Sequence, residues 1–285
     1  MTLPLTLHPD RFFSSDPAQR AIARELFAGI KDLPIISPHG HTDPRWFADN
    51  KPFANASELL IKPDHYLLRM LYSQGVSLNT LGLKGIGQDA TIDEVDPSAV
   101  WQCFADHYYL FRGTPTRLWM DHVLSEVFGV KQKLNSQSAM DVYTAINCQL
   151  ATPEFLPRSL FERFNIELIA TTESPLDPLL SHQKLQQDPW RGRVITTFRP
   201  DSVVDPDYEN FADNIQQLEK ISGESCSHYA GYLTALRERR AFFKTMGATS
   251  TDHGHPSTCT ADLSNAECQR LYQRALSGSL SSQGD

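Results

Sequence analysis

Residues Ile35-Ile36-Ser37-Pro38-His39-Gly40-His41-Thr42-Asp43 end an apolar run with two histidines separated by a single glycine. The run before them, LPIIS, is short and rich in β-branched residues, which predicts a buried strand. In a strand, residues i and i+2 point the same way, so His39 and His41 share a face, while Gly40 turns to the other and leaves room for a packed helix. Two neutral imidazoles so placed can converge on one divalent ion, and a strand that ends in Thr42-Asp43-Pro44 opens on a loop, where parallel α/β proteins collect their active sites.

Moving outward, RAIARELFAGI at 20–30 carries apolar positions at helical spacing ahead of this strand. From about 58 to 158 the pattern predicts helices with no strand between them. Thr114 reads as an N-cap with Pro115 as the first helical residue, and Met120, Val123, Leu124, Val127 and Phe128 form one stripe closed by Gly129. Trp101, Phe104, Tyr108 and Phe111 repeat the stripe one helix earlier and read as core. Beyond 158, Ser159 and Glu162 suggest a capping box, followed by strands at 166–172, 193–198 and 247–252. Helices are predicted at 207–222, stopping at Gly223, at 228–246, and from Ser264 with Glu267 as a second capping box; SLSSQGD then reads as a polar tail.

Strands alternating with helices imply an α/β fold with a parallel sheet and crossover helices. The expected domains are a sheet-containing part made of 1–57 and 159–285, with 58–158 as an all-helical insertion after the first strand.

Composition limits what such a chain does. Its 285 residues are 40% hydrophobic and 21% charged, and no apolar run approaches the roughly 20 residues that span a bilayer. A net charge of −8 argues against nucleic-acid partners, and Arg237-Glu238-Arg239-Arg240 reads as the solvated face of a helix. Five cysteines with no CxxC pair suit structural thiols in a reducing compartment. MTLPLTLHPDRFF lacks a basic start, a continuous apolar segment and a small-residue cleavage site, so a cytoplasmic protein is expected.

LPIISPHGHTDPRWFA, KPDHYLLRMLYSQGV, FRGTP, FERFNIELIATTESP, VITTFRPD and GATSTDHGHP together resemble the uronate isomerase (glucuronate isomerase) family of the amidohydrolase superfamily, from about residue 5 to 277. The resemblance implies a (β/α)8 barrel of TIM type with a helical insertion. It also implies an enzyme that interconverts D-glucuronate with D-fructuronate, and D-galacturonate with D-tagaturonate, by metal-assisted aldose–ketose isomerisation of a small sugar acid. By the same resemblance His39 and His41 bind a divalent metal, zinc or manganese, His65 and Tyr66 are catalytic, and Arg199, Asp252 and His253 contact substrate. A forked arginine suits a uronate carboxylate better than a lysine does.

Four strands fall short of eight, and a barrel alone takes roughly 240 residues or more. The chain therefore resembles the amino-terminal part of a longer member, with the general base expected on later strands. Open strand edges invite self-association, so a homo-oligomer is a further expectation. Two other readings stay open: a truncated, catalytically incompetent relative, and a metal-dependent hydrolase built on the same HxH pair.

Overall fold

The computed structural model describes residues 3–84, 94–255 and 259–280. The chain divides into two compact units, 1–33 with 51–160 and 34–50 with 161–285.

The first unit is helical. Pro97–Asp106 and Ala139–Leu150 pack against each other, and their buried faces, with Tyr108, Phe111, Met120 and Leu124, make one core. Trp101 is fully buried there, and its Nε1–H donates to Ala139 O at 2.9 Å. Thr114 caps Pro115–His122 as expected, accepting from Arg117 N. That helix continues into a wider π-type turn over Val123–Val127, and Gly129 follows at a φ of 69°. Residues 3–33 and 51–57, grouped by the sequence with the sheet, lie in this unit. Leu5 N donates to Lys131 O and Lys133 N to Leu3 O, which places Leu5 in the helical core. Helix Pro17–Ile30 buries none of its residues, its apolar spacing notwithstanding.

The second unit is a three-stranded parallel sheet, β1 (Ile35–Ser37), β2 (Ile166–Glu173) and β3 (Arg193–Phe198), in the order β1-β2-β3. Thr171 pairs with Thr196 and Glu173 with Phe198 in the β2–β3 register. One face of the sheet is covered in patches: Ile169 and Val194 pack with Phe47 and Phe161, and Phe198 packs with Phe243 and Leu179. A separate cluster joins helices Phe211–Ser222, Tyr229–Thr245 and Asn265–Leu276 through Leu218, Tyr232 and Tyr272. Gly223 at a φ of 75° and the Ser264–Glu267 capping box end and begin these helices as the sequence predicts.

Several expectations need correction. β1 is not buried: Ile35 and Ile36 are 50% and 58% exposed, because among the described residues the strand pairs only with β2. It also ends at Ser37, so His39 and His41 belong to the bend after the strand. Gly40 faces a neighbouring strand, with a Cβ there 3.5 Å from Ala170 O, where a helix was expected. The fourth strand is reduced to a single parallel bridge between Phe198 and Thr251, flanked by Asp252 N donating to Phe198 O at 3.0 Å. Ser159 is no cap, since Pro157 already opens helix Pro157–Arg163. Arg239 is 7% exposed in place of the solvated position expected for it. None of the five cysteines forms a disulfide. No helix of the described residues is long and apolar enough to cross a membrane. The last five residues of the polar tail lie outside the described residues.

Candidate active site

The carboxyl ends of β1 and β3 and the turn after Thr251 bring three of the expected residues together. His39 Nδ1 lies 3.2 Å from Asp252 Oδ2, and Arg199 Nη1 donates to the same oxygen at 3.3 Å. The His39 and His41 rings stand edge to face with centroids 5.0 Å apart, and both side chains are exposed. What sets them side by side is a bend and not strand alternation. Thr172 Oγ1, from the end of β2, donates to Gly40 O at 2.9 Å, and Ser37 Oγ donates to His39 O at 3.2 Å. The backbone between the two imidazoles is thereby tied to the neighbouring strand.

Arg199 does pair with Asp201, Nε to Oδ2 at 2.7 Å, but not with Asp201 alone, since Asp252 takes its other arm. The Asp252 carboxylate meets both an arginine and an imidazole. His253 is exposed, with its ring 5.8 Å from that of His255, a residue for which the sequence suggests no placement. His65 and Tyr66 stand in the helical unit, at the start of helix His65–Ser73, whose N-cap Asp64 accepts from Tyr66 N at 2.8 Å. Their rings lie 4.2 Å apart, and Tyr66 is 63% exposed while Leu67 and Leu71 carry the packing, so Tyr66 does not serve the core.

Beside His41 a cleft of about 520 Å³ runs past Asp43, Arg45, Thr172, Glu173 and His182. Its polar walls were largely missed in the sequence. Arg45 donates from Nε to both oxygens of Asp43, which holds that carboxyl below the usual range. Glu173 and His182 are buried. Thr196 Oγ1 donates to Glu173 Oε2 at 2.5 Å, and Thr171 Oγ1 lies 2.9 Å from His182 Nε2. Burial pushes the Glu173 carboxyl up and the His182 imidazole down, each in the direction of its neutral form. The available signal was an acid at the end of a buried strand, in ATTESP.

A carboxyl raised in the folded state stabilises fully below its unfolded pKa, near 4.5, and loses that contribution as pH climbs through the raised value. Glu173→Gln stays neutral throughout and keeps an oxygen for Thr196. Its stability relative to the parent chain is therefore expected to grow as pH rises above about 4.5. Urea titrations at acid and neutral pH test this, and a difference independent of pH refutes it.

Parallel strands that deliver imidazoles, an arginine and carboxylates to their carboxyl ends place the chain among α/β proteins that work where loops leave the sheet. A family model described as glucuronate isomerase matches residues 10–285. The chain belongs to the glucuronate isomerase family. It is 57% identical over 275 residues to the uronate isomerase of Rhizorhabdus wittichii, covering 96% of this chain and 57% of that protein. It is also 57% identical over 274 residues to that of Xanthomonas axonopodis pv. citri, covering 96% of this chain and 58% of that one. The crystal structure of glucuronate isomerase from Caulobacter crescentus superimposes with a TM-score of 0.94 at 48% identity, over 99% of this chain and 58% of that one. Uronate isomerase from Thermotoga maritima gives 0.83 at 26% identity, over 98% and 58%. The chain thus spans a little under three fifths of the length of these relatives.

Proposed function

We propose that this chain acts in uronate isomerisation, interconverting D-glucuronate with D-fructuronate and D-galacturonate with D-tagaturonate, and that its parallel sheet is the opening part of a (β/α)8 barrel. The observation that carries the reading is the meeting of Arg199, Asp252 and His39 at the strand ends. Moving a carbonyl from C1 to C2 takes a proton from C2 and returns one to C1, through an enediol whose oxygens carry developing charge. Arg199 keeps donors beyond those engaged by Asp201 and Asp252, and offers them to the sugar-acid carboxylate. The His39 imidazole and the Asp252 carboxylate, in contact beside Arg199, are groups of the type that can pass a proton, and His253 lies on the same turn. His65 and Tyr66 stay in this reading as further catalytic groups, supported by the exposure of Tyr66 and by the family match.

His39 and His41 are the residues that would hold a divalent cation, zinc or manganese. Asp252 behind His39 Nδ1 is the kind of carboxylate that orients a metal-binding imidazole and leaves its other nitrogen free. Among the described residues no group of three or more histidines, cysteines or acids is arranged to hold a metal, so the pair gives a weak grip where a catalytic zinc ordinarily takes three protein ligands. A bound cation would supply stabilisation of the enediol oxygens.

The test is incubation of the chain with D-glucuronate, with and without added zinc or manganese, and detection of ketose. Ketose that falls by about 10²-fold or more in Arg199→Ala supports the reading, on the scale of removing one charged donor from a transition state. No ketose under any of these conditions defeats it for this chain.

A further inference from the structure

Asp201 belongs to none of the roles assigned above, yet it touches two segments of the site at once. Its Oδ2 accepts from Arg199 Nε at 2.7 Å and its Oδ1 accepts from Gly254 N at 2.9 Å. The first partner directly follows β3 and the second lies two residues beyond Asp252, on the far side of the bridge between Phe198 and Thr251. Asp201, Arg199 and Asp252 are all partly withdrawn from solvent, with side-chain exposures of 14%, 35% and 22%. An arginine on an open surface swings through many rotamers, and an isolated surface pair does little to stop it. Here the guanidinium is held from both edges, by Asp201 at Nε and by Asp252 at Nη1.

Gly254 adds an independent observation. A Cβ at this position would lie 2.9 Å from Asp201 Oδ2 and 3.1 Å from Arg199 Nη2. The glycine's φ is outside the left-handed region, so what a larger residue would disturb is the close approach of these two side chains and not the backbone conformation.

We propose that Asp201 is a positioning residue, a clamp that joins Arg199 to the turn carrying Asp252 and His253 and so fixes the direction in which the guanidinium is offered to a carboxylate-bearing sugar. The ligand class rests on the isomerase reading; the clamp itself rests on the geometry alone. Asp201→Asn keeps the size of the side chain but leaves one oxygen for two donors, so the Arg199 Nε–H or the Gly254 N–H must let go. Gly254→Ala leaves the carboxylate intact and forces it away from its partners.

The experiment uses the whole chain labelled with ¹⁵N. It follows the Arg199 Nε–H and Gly254 N–H signals, assigned with Arg199→Lys, while D-glucuronate is titrated in. In the parent chain the Nε–H is expected to exchange slowly with water. In both Asp201→Asn and Gly254→Ala at least one of the two signals moves and exchanges about tenfold faster, and glucuronate binds about tenfold more weakly, the scale of one hydrogen bond to a charged group. Unchanged shifts and exchange in either folded variant overturn the clamp, as does a loosened arginine with undiminished glucuronate affinity. A variant that loses its dispersed spectrum is set aside and the other decides. If the parent chain binds no glucuronate, the isomerase reading fails, and the clamp is judged on the Nε–H and N–H signals alone.

Discussion

Trp101→Ala is expected to lower the stability of the helical unit by about 3–5 kcal/mol, the range for emptying a buried aromatic site. Trp101 has no exposed surface and lies with its ring centroid 5.7 Å from that of Phe104 and 6.1 Å from that of Tyr143. Alanine removes the indole and leaves a cavity between Pro97–Asp106 and Ala139–Leu150, two helices that depend on each other for burial. It also removes the indole N–H that donates to Ala139 O at the start of the second helix. Trp101→Phe separates the two losses: it keeps most of the ring and forfeits the hydrogen bond, worth about 1 kcal/mol, plus a smaller void. Because the chain has two units, the unfolding of each is followed by signals from within it, and amide exchange in these two helices reports on the helical one. Protection lost by less than tenfold in Trp101→Ala would show that the site collapses around the smaller side chain.

What the sequence discloses follows from how locally each feature is encoded. Trp101 and Phe104 lie on the buried face of Pro97–Asp106, and Tyr108 and Phe111 on the 3₁₀ turn Tyr108–Phe111 that follows; all four are buried, because the apolar spacing carries across the junction. Thr114 and Ser264 cap helices because a cap needs only its own next three residues. The HxH pair marks the site for a similar reason: its setting after a β-branched run places it at a strand end. Ile35 and Ile36 show the limit. Their β-branched character specifies a strand but not what covers it, so exposure was illegible. The partners of His39 and Arg199 come from another part of the chain, at Asp252, and no local pattern joins them. Asp201 was visible beside Arg199, but its second bond, to Gly254, was not. Glu173 reads as the polar start of a loop, and only the packing of β3 and helix Leu180–Gln187 makes it a buried acid. The roles expected of His65 and Tyr66 rest on resemblance, and the residues themselves do not announce them, since Asp64 capping is an ordinary way to begin a helix.

Arg239 is the sharpest departure from a local reading, and its removal should have the second large effect. Charged neighbours in RERR suggest solvent, yet the guanidinium is buried and donates from Nε to Pro175 O at 2.7 Å and from Nη2 to Asp177 O at 2.8 Å. It also lies over the Phe242 ring, 4.5 Å from the centroid. Burial lowers its pKa and the Asp177 carboxylate opposes that shift, but an arginine stays charged at any ordinary pH. The charge is tolerated because two carbonyls and an aromatic face replace water. These carbonyls belong to the loop after β2, which turns through Leu179 at a φ of 55° and supplies a wall of the cleft beside His41. Arg239→Leu keeps apolar bulk but leaves the Pro175 carbonyl buried and unpaired, at about 1–3 kcal/mol, and gives up the contact with Phe242, at about 1 kcal/mol. Relief from burying a charge offsets part of this, so Arg239→Ala, which also opens a void, should cost more, about 3 kcal/mol in all. Arg239→Lys should fall between the parent and leucine, since an ammonium can reach one carbonyl but lacks the fork to hold both. Urea unfolding of the three variants orders them, and amide exchange at Leu179, whose N–H donates to Asp177 Oδ1 at 2.6 Å, reports whether the loop loosens first. Leucine as stable as the parent, with Leu179 equally protected, would mean that the loop holds its shape unaided and that the buried arginine only fills space.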